Sequence, residues 1–286
     1  MYDIHNYTNV NVGATAMMLD VLTNSKNSVK KIILSSSRAV YGEGMYKCKD
    51  QGVIYPSFRN DKDLQDGKYD FISQNSKSKL IPIATKENSH ILPTSIYALT
   101  KYNQEQILLL AANNLNIDVA VLRYQNVFGP GQSLSNPYTG ILSVFSTRIL
   151  NGNDIEIYED GMQSRDFVYI DDVVNATLLV LEKSNLKSQV YNVGSGVPTT
   201  VLKVAQKLKE LYNLTASITI SNKYRRGDIR HNFADLSLIN QELGFVNKFS
   251  FDSGLLNFVE WVKKQDIQDD KYDSSIQEMI QKGIMK

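Results

Sequence analysis

One cysteine, Cys48, stands in a chain of 286 residues. A lone thiol closes no internal disulfide and builds no metal site, which fits a reducing compartment. Neither sign of charge is in excess: 31 Lys and Arg against 30 Asp and Glu leave a net charge of +1. That balance gives no reason to invoke nucleic acid or an anionic membrane surface as a partner. No apolar run approaches about 18 residues, so no membrane-spanning helix is expected. The stretch from Met1 to Tyr7 has neither the basic nor the apolar region of a secretory signal, so the expected location is the cytoplasm. The three histidines, His5, His90 and His231, lack metal-ligand spacing. Repeats and low-complexity tracts are also missing. What remains, 42% hydrophobic and 21% charged residues, is ordinary for a soluble globular protein with a sizeable core.

Against that plain background one short stretch stands out, Ser95-Ile96-Tyr97-Ala98-Leu99-Thr100-Lys101. Tyr97 and Lys101 are four residues apart at the start of a helical pattern, and such positions share a helix face. An ammonium near a phenol favours the phenolate and brings its pKa down from about 10. A Tyr tuned in this way can take a proton from a sugar hydroxyl. About one Tyr-x-x-x-Lys arises by chance in a chain of this make-up, so the pair needs support from elsewhere.

The pattern along the chain is that of parallel α/β structure. Residues 7–24 read as a helix. Ile32-Ile33-Leu34 reads as a buried strand with Ser35, Ser36 and Ser37 at its C-terminal end, where ligands sit in open α/β sheets. Residues 43–90 are polar and loop-rich, an insertion that reads either as a lid or as a surface excursion. A helix over 94–115, ended by Asn113-Asn114, leads to a strand at 117–124. Helices over 139–150, 173–183 (capped by Asp171 or Asp172), 199–212, 235–243 and 252–265 follow, with strands at 155–158, 190–193 and 217–221. The tail, 266–286, is charged and hints at an amphipathic helix.

Several motifs in this order resemble the extended short-chain dehydrogenase/reductase family, in particular its nucleotide-sugar epimerases and dehydratases: NVGAT at 11–15, SSSRAVYG at 35–42, YALTK at 97–101, RYQNVFGPGQ at 123–132, RDFVYIDDV at 165–173, YNVGSG at 191–196 and RRGD at 225–228. Within that family the strand-end motif, the long insertion after it and GQSLSNPYTGILSVFS at 131–146 look most like the dTDP-L-rhamnose 4-epimerase group. The resemblance implies a Rossmann-like, doubly wound parallel sheet (residues 1–131 and about 168–194). It implies a smaller substrate domain from 132–167 and 195–265. It implies Ser37, Tyr97 and Lys101 as catalytic residues, and NAD contacts from Asn11, Ser35, Ser36, Tyr97, Lys101 and Tyr124. Nucleotide-sugar contacts would come from Ser37, Asn126, Arg165, Asn192, Arg225 and Asp228, with no metal. The implied reaction is epimerisation at carbon 4 through a 4-keto sugar, and the implied assembly is a homodimer through helices 7–24 and 94–115. Dehydratase relatives carry an Asp-Glu pair after the strand-end hydroxyl. Here Arg38-Ala39 stands there, and neither exchanges protons at neutral pH. A 4-ketoreductase, which uses the same Ser, Tyr and Lys, stays open.

The resemblance also has a gap. Family members begin with a strand, a glycine-rich turn and a helix that hold the cofactor diphosphate, and nothing here fills that role. The expectation is therefore a sheet lacking its first strands, with an unpaired edge, exposed apolar faces and marginal solubility. It corresponds to a shortened reading frame, half of a split gene, or a piece of a longer chain. Such a polypeptide would hold NAD weakly or not at all, and an inactive remnant is the alternative to an enzyme.

Overall fold

The computed structural model describes residues 3–136, 140–184, 186 and 188–286. In chain order, α1 (Ile4–Tyr7), a π-helical stretch (Thr8–Gly13) and α2 (Ala14–Asn24) run on without a break in helical backbone. Then come β1 (Lys31–Ser37) and a 3-10 turn (Arg38–Tyr41). The polar stretch contains β2 (Met45–Cys48), β3 (Gly52–Ile54), α3 (Asp61–Gln65) and β4 (Ile81–Ile83). After it lie α4 (Ile96–Leu115), β5 (Asp118–Tyr124), β6 (Asn126–Phe128), α5 (Ile141–Leu150), β7 (Ile155–Ile157) and β8 (Ser164–Tyr169). The chain continues through α6 (Ile170–Glu182), β9 (Gln189–Val193), β10 (Pro198–Thr200), α7 (Val201–Tyr212) and β11 (Ile218–Ile220). Last are β12 (His231–Asn232), α8 (Ser237–Leu243), α9 (Phe251–Val262) and α10 (Tyr272–Gln281).

The central sheet is parallel, in the order β1-β5-β9. β5 is buried along nearly its whole length, which is why it reads as an unbroken apolar run rather than an alternation. Its side chains still alternate between two cores. Val119 and Val121 pack with Leu19 of α2 and Leu108 and Ala112 of α4, while Ala120 and Leu122 pack with Val173, Ala176 and Val180 of α6 and Ile239 of α8. A second sheet, β10-β8-β12 with β6 also on β8, backs a larger core that includes Phe128, Phe145, Ile157, Phe167, Leu208 and Phe258. The insertion forms a small antiparallel sheet, β3-β2-β4.

Among the described residues β1 pairs only with β5, so its outer edge is open. Exposed apolar side chains occur on the helices of both faces beside that strand, Met17, Met18 and Val21 on α2 and Val174, Leu178 and Leu181 on α6. The Lys31 ammonium donates to the carbonyls of Val180, Leu181 and Lys183, closing the C-terminal end of α6 with a cation where the helix dipole favours one.

Three local expectations shift. α4 runs past Asn113-Asn114 and stops at Asn116, which takes the left-handed conformation that asparagine tolerates. α6 begins at Ile170, so Asp171 and Asp172 lie in its first turn and cap nothing. The Asp172 carboxylate instead accepts from the backbone N–H groups of Lys248 and Phe249. α5 begins at Ile141, and the expected start at 139 lies outside the described residues.

Candidate active site

The C-terminal end of β1 lies beside that of β5, Ser37 opposite Tyr124. The N-terminus of α4 is held at the same edge by Ser95, whose hydroxyl accepts from the Ala98 N–H at 3.2 Å. This puts Tyr97 against Ser37, and the Tyr7 ring meets the Tyr97 ring edge-on with centroids 5.8 Å apart. Behind them Asn11, in the π-helical stretch, donates to the Thr100 hydroxyl at 3.0 Å, and that hydroxyl donates to the Tyr97 carbonyl. Gln104 donates to Thr15 of α2. The N-terminal helix thus braces the turn of α4 that carries Tyr97 and Lys101, with a rare π segment at the contact point.

Lys101 is engaged at the end of β1. Its ammonium donates to the Ser35 carbonyl at 2.8 Å and to Gln104 Oε1 at 3.1 Å, and burial lowers its pKa. Burial raises the pKa of Tyr97. The groups that pull it back are the Ser37 hydroxyl and the charge of Arg38. Sharing a helix face brings two side chains near each other, but a carbonyl at the strand end has already captured the ammonium.

The serine run divides by the alternation of a strand. Ser35 is exposed, whereas Ser36 is buried and donates to Glu105 Oε1 at 2.5 Å. Ser36 therefore faces the interior and is not a cofactor contact. Glu105 receives Arg123 from β5 in a buried pair at 2.7 Å, and Arg123 also donates to the Tyr41 hydroxyl. Tyr41 donates to Asn192 Oδ1, and Asn192 Nδ2 donates to the carbonyls of Thr85 and Asp235. With its amide saturated and no exposed surface, Asn192 holds β9 to the insertion and is not available to substrate. The Tyr124 hydroxyl, expected at the cofactor, pairs with Thr177 of α6, and its ring packs against the core that α6 covers. Asp166 accepts from the N–H groups of Ser195, Gly196 and Ala234 and from the Ser195 hydroxyl, pinning the Gly194–Gly196 turn. A Cβ at Gly194 would lie 2.5 Å from that carboxylate.

In front of Tyr97 opens a cavity of about 510 Å³, lined by Arg38, Asn126, Arg165, Arg225 and Asp228 on its polar side and by Phe145 and Ile157 among its apolar residues. That size suits a small ligand or cofactor. Asn126 Oδ1 is buried there without a hydrogen-bond partner, an acceptor suited to a ligand hydroxyl. Burial would raise the pKa of Asp228, but Arg225, Arg165, Arg59 and Arg38 together hold it well below the usual carboxylate range. Arg165 is spoken for. Its guanidinium donates to the carbonyls of Ser164, Ile229 and Arg230 and pairs with Asp228 at 3.0 Å. Its role in this structure is to build the loop that presents Arg225, and its expected diphosphate contact has few free donors left.

Two stretches whose place the sequence left open are fixed around the site. The insertion is no free lid: Arg59 pairs with Glu159 and donates to the Asp228 carbonyl, and Glu43 accepts from the N–H groups of Arg230 and His231. The tail supplies Tyr272, Ile276 and Met279 to the cavity. Its last residues pair with the arginine loop, Tyr224 N–H to Lys286 O and Arg226 N–H to Ile284 O. The amphipathic pattern of 272–281 was a signal for a buried helix face, but not for what that face covers.

The nicotinamide end of a dinucleotide fits this arrangement, with exposed Ser35, Lys101 and the Tyr97 phenol gathered at the end of β1. Among the described residues no strand leads through a glycine-rich turn into a helix N-terminus of the kind that cradles a cofactor diphosphate, so that end is assigned no residues. No described helix is long and apolar enough to cross a membrane.

A parallel α/β sheet with a serine at one strand end and Tyr-x-x-x-Lys on the adjoining helix defines a short-chain dehydrogenase/reductase type of site. The chain belongs to the NAD dependent epimerase/dehydratase family, whose pattern matches residues 1–194. It is 34% identical over 256 residues to the dTDP-L-rhamnose 4-epimerase of Burkholderia thailandensis, a match covering 90% of this chain and 69% of that one. The UDP-glucose 4-epimerase of Thermotoga maritima, solved with UDP-glucose, superposes with a TM-score of 0.69 at 29% identity, covering 92% of this chain and 72% of that one. MoeE5, solved with UDP-glucuronic acid and NAD, gives a TM-score of 0.72 at 26% identity, covering 92% and 74%.

Proposed function

We propose that this chain carries the catalytic side of an NAD-dependent nucleotide-sugar 4-epimerase that acts on a dTDP-6-deoxyhexose such as dTDP-L-rhamnose. The observation that carries this is Tyr97, next to Ser37 at the end of β1, lining a cavity that Asn126, Arg225 and Asp228 also line, with Arg38-Ala39 where a dehydratase needs an acid pair. NAD, when bound, supplies acceptance of hydride from carbon 4 and its return to the opposite face. Tyr97 takes the proton of the 4-hydroxyl and gives it back after the keto sugar has turned. Ser37 hydrogen-bonds the same oxygen and holds it in line with the phenol. Lys101, fixed on the Ser35 carbonyl, holds the nicotinamide ribose. Arg225 has the guanidinium fork that suits a diphosphate. Asn126 offers its unpartnered carbonyl to a sugar hydroxyl.

The test is incubation of dTDP-L-rhamnose bearing deuterium at carbon 4 with the protein and NAD, read by NMR. The expected product is the 4-epimer with its deuterium retained. Stoichiometric build-up of reduced nicotinamide with a keto product would point to a dehydrogenase or ketoreductase instead. No change in the sugar under saturating NAD would remove the epimerase reading for this polypeptide.

The same reading includes a homodimer through α1–α2 and α4. Exposed Val10, Met17, Met18 and Val21 on the first and Leu99 and Leu110 on the second support it. Sedimentation should give a dimer that Met17→Lys with Val21→Lys converts to monomer. A wild-type chain that stays monomeric at high concentration would rule this out.

A further inference from the structure

The tail walls the cavity without a part in the proton and hydride transfers. The buried face of α10 recurs at helical spacing, as Tyr272, Ser275, Ile276 and Met279, and all four line the cavity that Tyr97 also lines. Neither end of the helix is loose. At its start Arg148 of α5 pairs with Asp270 at 3.2 Å and with Asp273 at 3.3 Å, and its guanidinium lies over the Tyr272 ring. The Tyr272 hydroxyl shares a hydrogen bond with that of Tyr158 at 2.7 Å and reaches Glu156 at 3.3 Å. Past its end, Met285 faces Arg225 in an antiparallel bridge, and Lys286 pairs with Asp61 of α3. One polar group on the same lining also lacks a role. Gln163, only 7% exposed, donates through Nε2 to the Tyr158 carbonyl at 3.1 Å, which fixes the orientation of its amide. Its Oε1 is buried and has no hydrogen-bond partner among the described residues, a costly state unless a ligand donor meets it.

We propose that α10 and Gln163 select the nucleobase, with Ile276 and Met279 holding the 5-methyl group of thymine and Gln163 Oε1 accepting its N3–H. This deepens the nucleotide-sugar reading and rests on it for the order of the groups. A sugar nucleotide is linear, with the diphosphate between the sugar and the nucleoside. With the sugar at Tyr97 and the diphosphate at Arg225, the base must lie on the far side of the arginine loop. That loop meets the tail in two places. Lys223 pairs with Glu156, the carboxylate that Tyr272 reaches, and Arg225 is bridged to Met285. Beside the free acceptor, β7 and α10 offer mainly apolar groups to the cavity, Ile157, Ile276 and Met279. Thymine matches both features, since its imide N–H is a donor and its methyl is apolar. Uracil brings the donor without the methyl. Cytosine carries an acceptor at N3 and would set two acceptors against each other.

The test uses nucleoside diphosphates that carry no sugar, so it needs no turnover and can fail apart from the epimerase reading. Calorimetry on the full chain should show dTDP bound about tenfold more tightly than dUDP, which differs from it only by the methyl group. The analogue of dTDP methylated at N3 should bind about tenfold more weakly, or worse. In Ile276→Ala with Met279→Ala the preference for dTDP over dUDP should fall to about twofold or less, while inorganic pyrophosphate keeps its affinity. Ile276→Val with Met279→Leu, which nearly keeps the volume, should retain the preference. In Gln163→Leu the penalty for N3-methylation should vanish. A tail that merely supports the fold would lower all these affinities together and leave their ratios alone. If the variants do not fold, the three nucleotides on the unsubstituted chain still decide the matter. Equal affinity for dTDP and dUDP, an N3-methyl analogue that binds as well as dTDP, an unmoved ratio in the double alanine variant, or no binding of dTDP would each overturn the proposal. Selectivity for dTDP without epimerisation would leave this inference standing and remove the other.

Discussion

Tyr97→Phe should lower the epimerisation rate by about a thousandfold, the middle of the range for a positioned acid–base group, while leaving nucleotide-sugar affinity within a few-fold of wild type. The substitution removes one hydroxyl from a ring that is otherwise held by its packing against Tyr7 and by the Asn11–Thr100 brace behind it. The groups assigned to the nucleotide sugar, Asn126, Arg225 and Asp228, lie elsewhere on the cavity lining, and the Arg225–Asp228 pair is untouched. Turnover and binding should therefore separate cleanly, the first read by NMR of the sugar and the second by calorimetry. Near-normal turnover in the Tyr97→Phe variant would show that another group moves the proton.

Arg123→Met should cost about 3–5 kcal/mol of stability, the usual loss when one partner of a buried ion pair is removed. Glu105 has no exposed surface, and in this variant would keep only the Ser36 hydroxyl as a hydrogen-bond partner. The Tyr41 hydroxyl and the Glu87 carbonyl would each lose a donor as well. Because replacing both charges with apolar groups of similar size is often nearly neutral, the double variant Arg123→Met with Glu105→Leu should recover much of the loss. Urea unfolding of the two singles and the double measures this. A single variant within about 1 kcal/mol of wild type would mean that water reaches the pair and screens it.

Much of this was open to reading from the residues. The run Val119-Ala120-Val121-Leu122 could only be a strand buried on both faces, and the four-residue spacing of Tyr97 and Lys101 put both on one side of α4. What stayed hidden was competition for partners. Ser35, Ser36 and Ser37 look alike in sequence, but strand alternation sends the middle one to Glu105. Lys101 looks free to act on a phenol until the Ser35 carbonyl is beside it. Arg165 and Asn192 carry the functional groups a substrate would need, and both spend them on backbone carbonyls and neighbouring side chains contributed by distant stretches of chain. Spacing and residue type fix which groups can come near one another. They do not say which of several eligible acceptors is taken first.

The pairing of Ile284 and Lys286 with the arginine loop bears on how the protein is made. A ribosome releases residues in order, and the segment that walls the cavity and fastens Tyr224 and Arg226 leaves the exit tunnel after every other part described here. Until then the nascent chain can assemble its central strands, yet the loop bearing Arg225 lacks its clasp. The fixed form of the arginine loop should thus be acquired in one step, once residues 284–286 have emerged, not built up gradually as the residues before them are added.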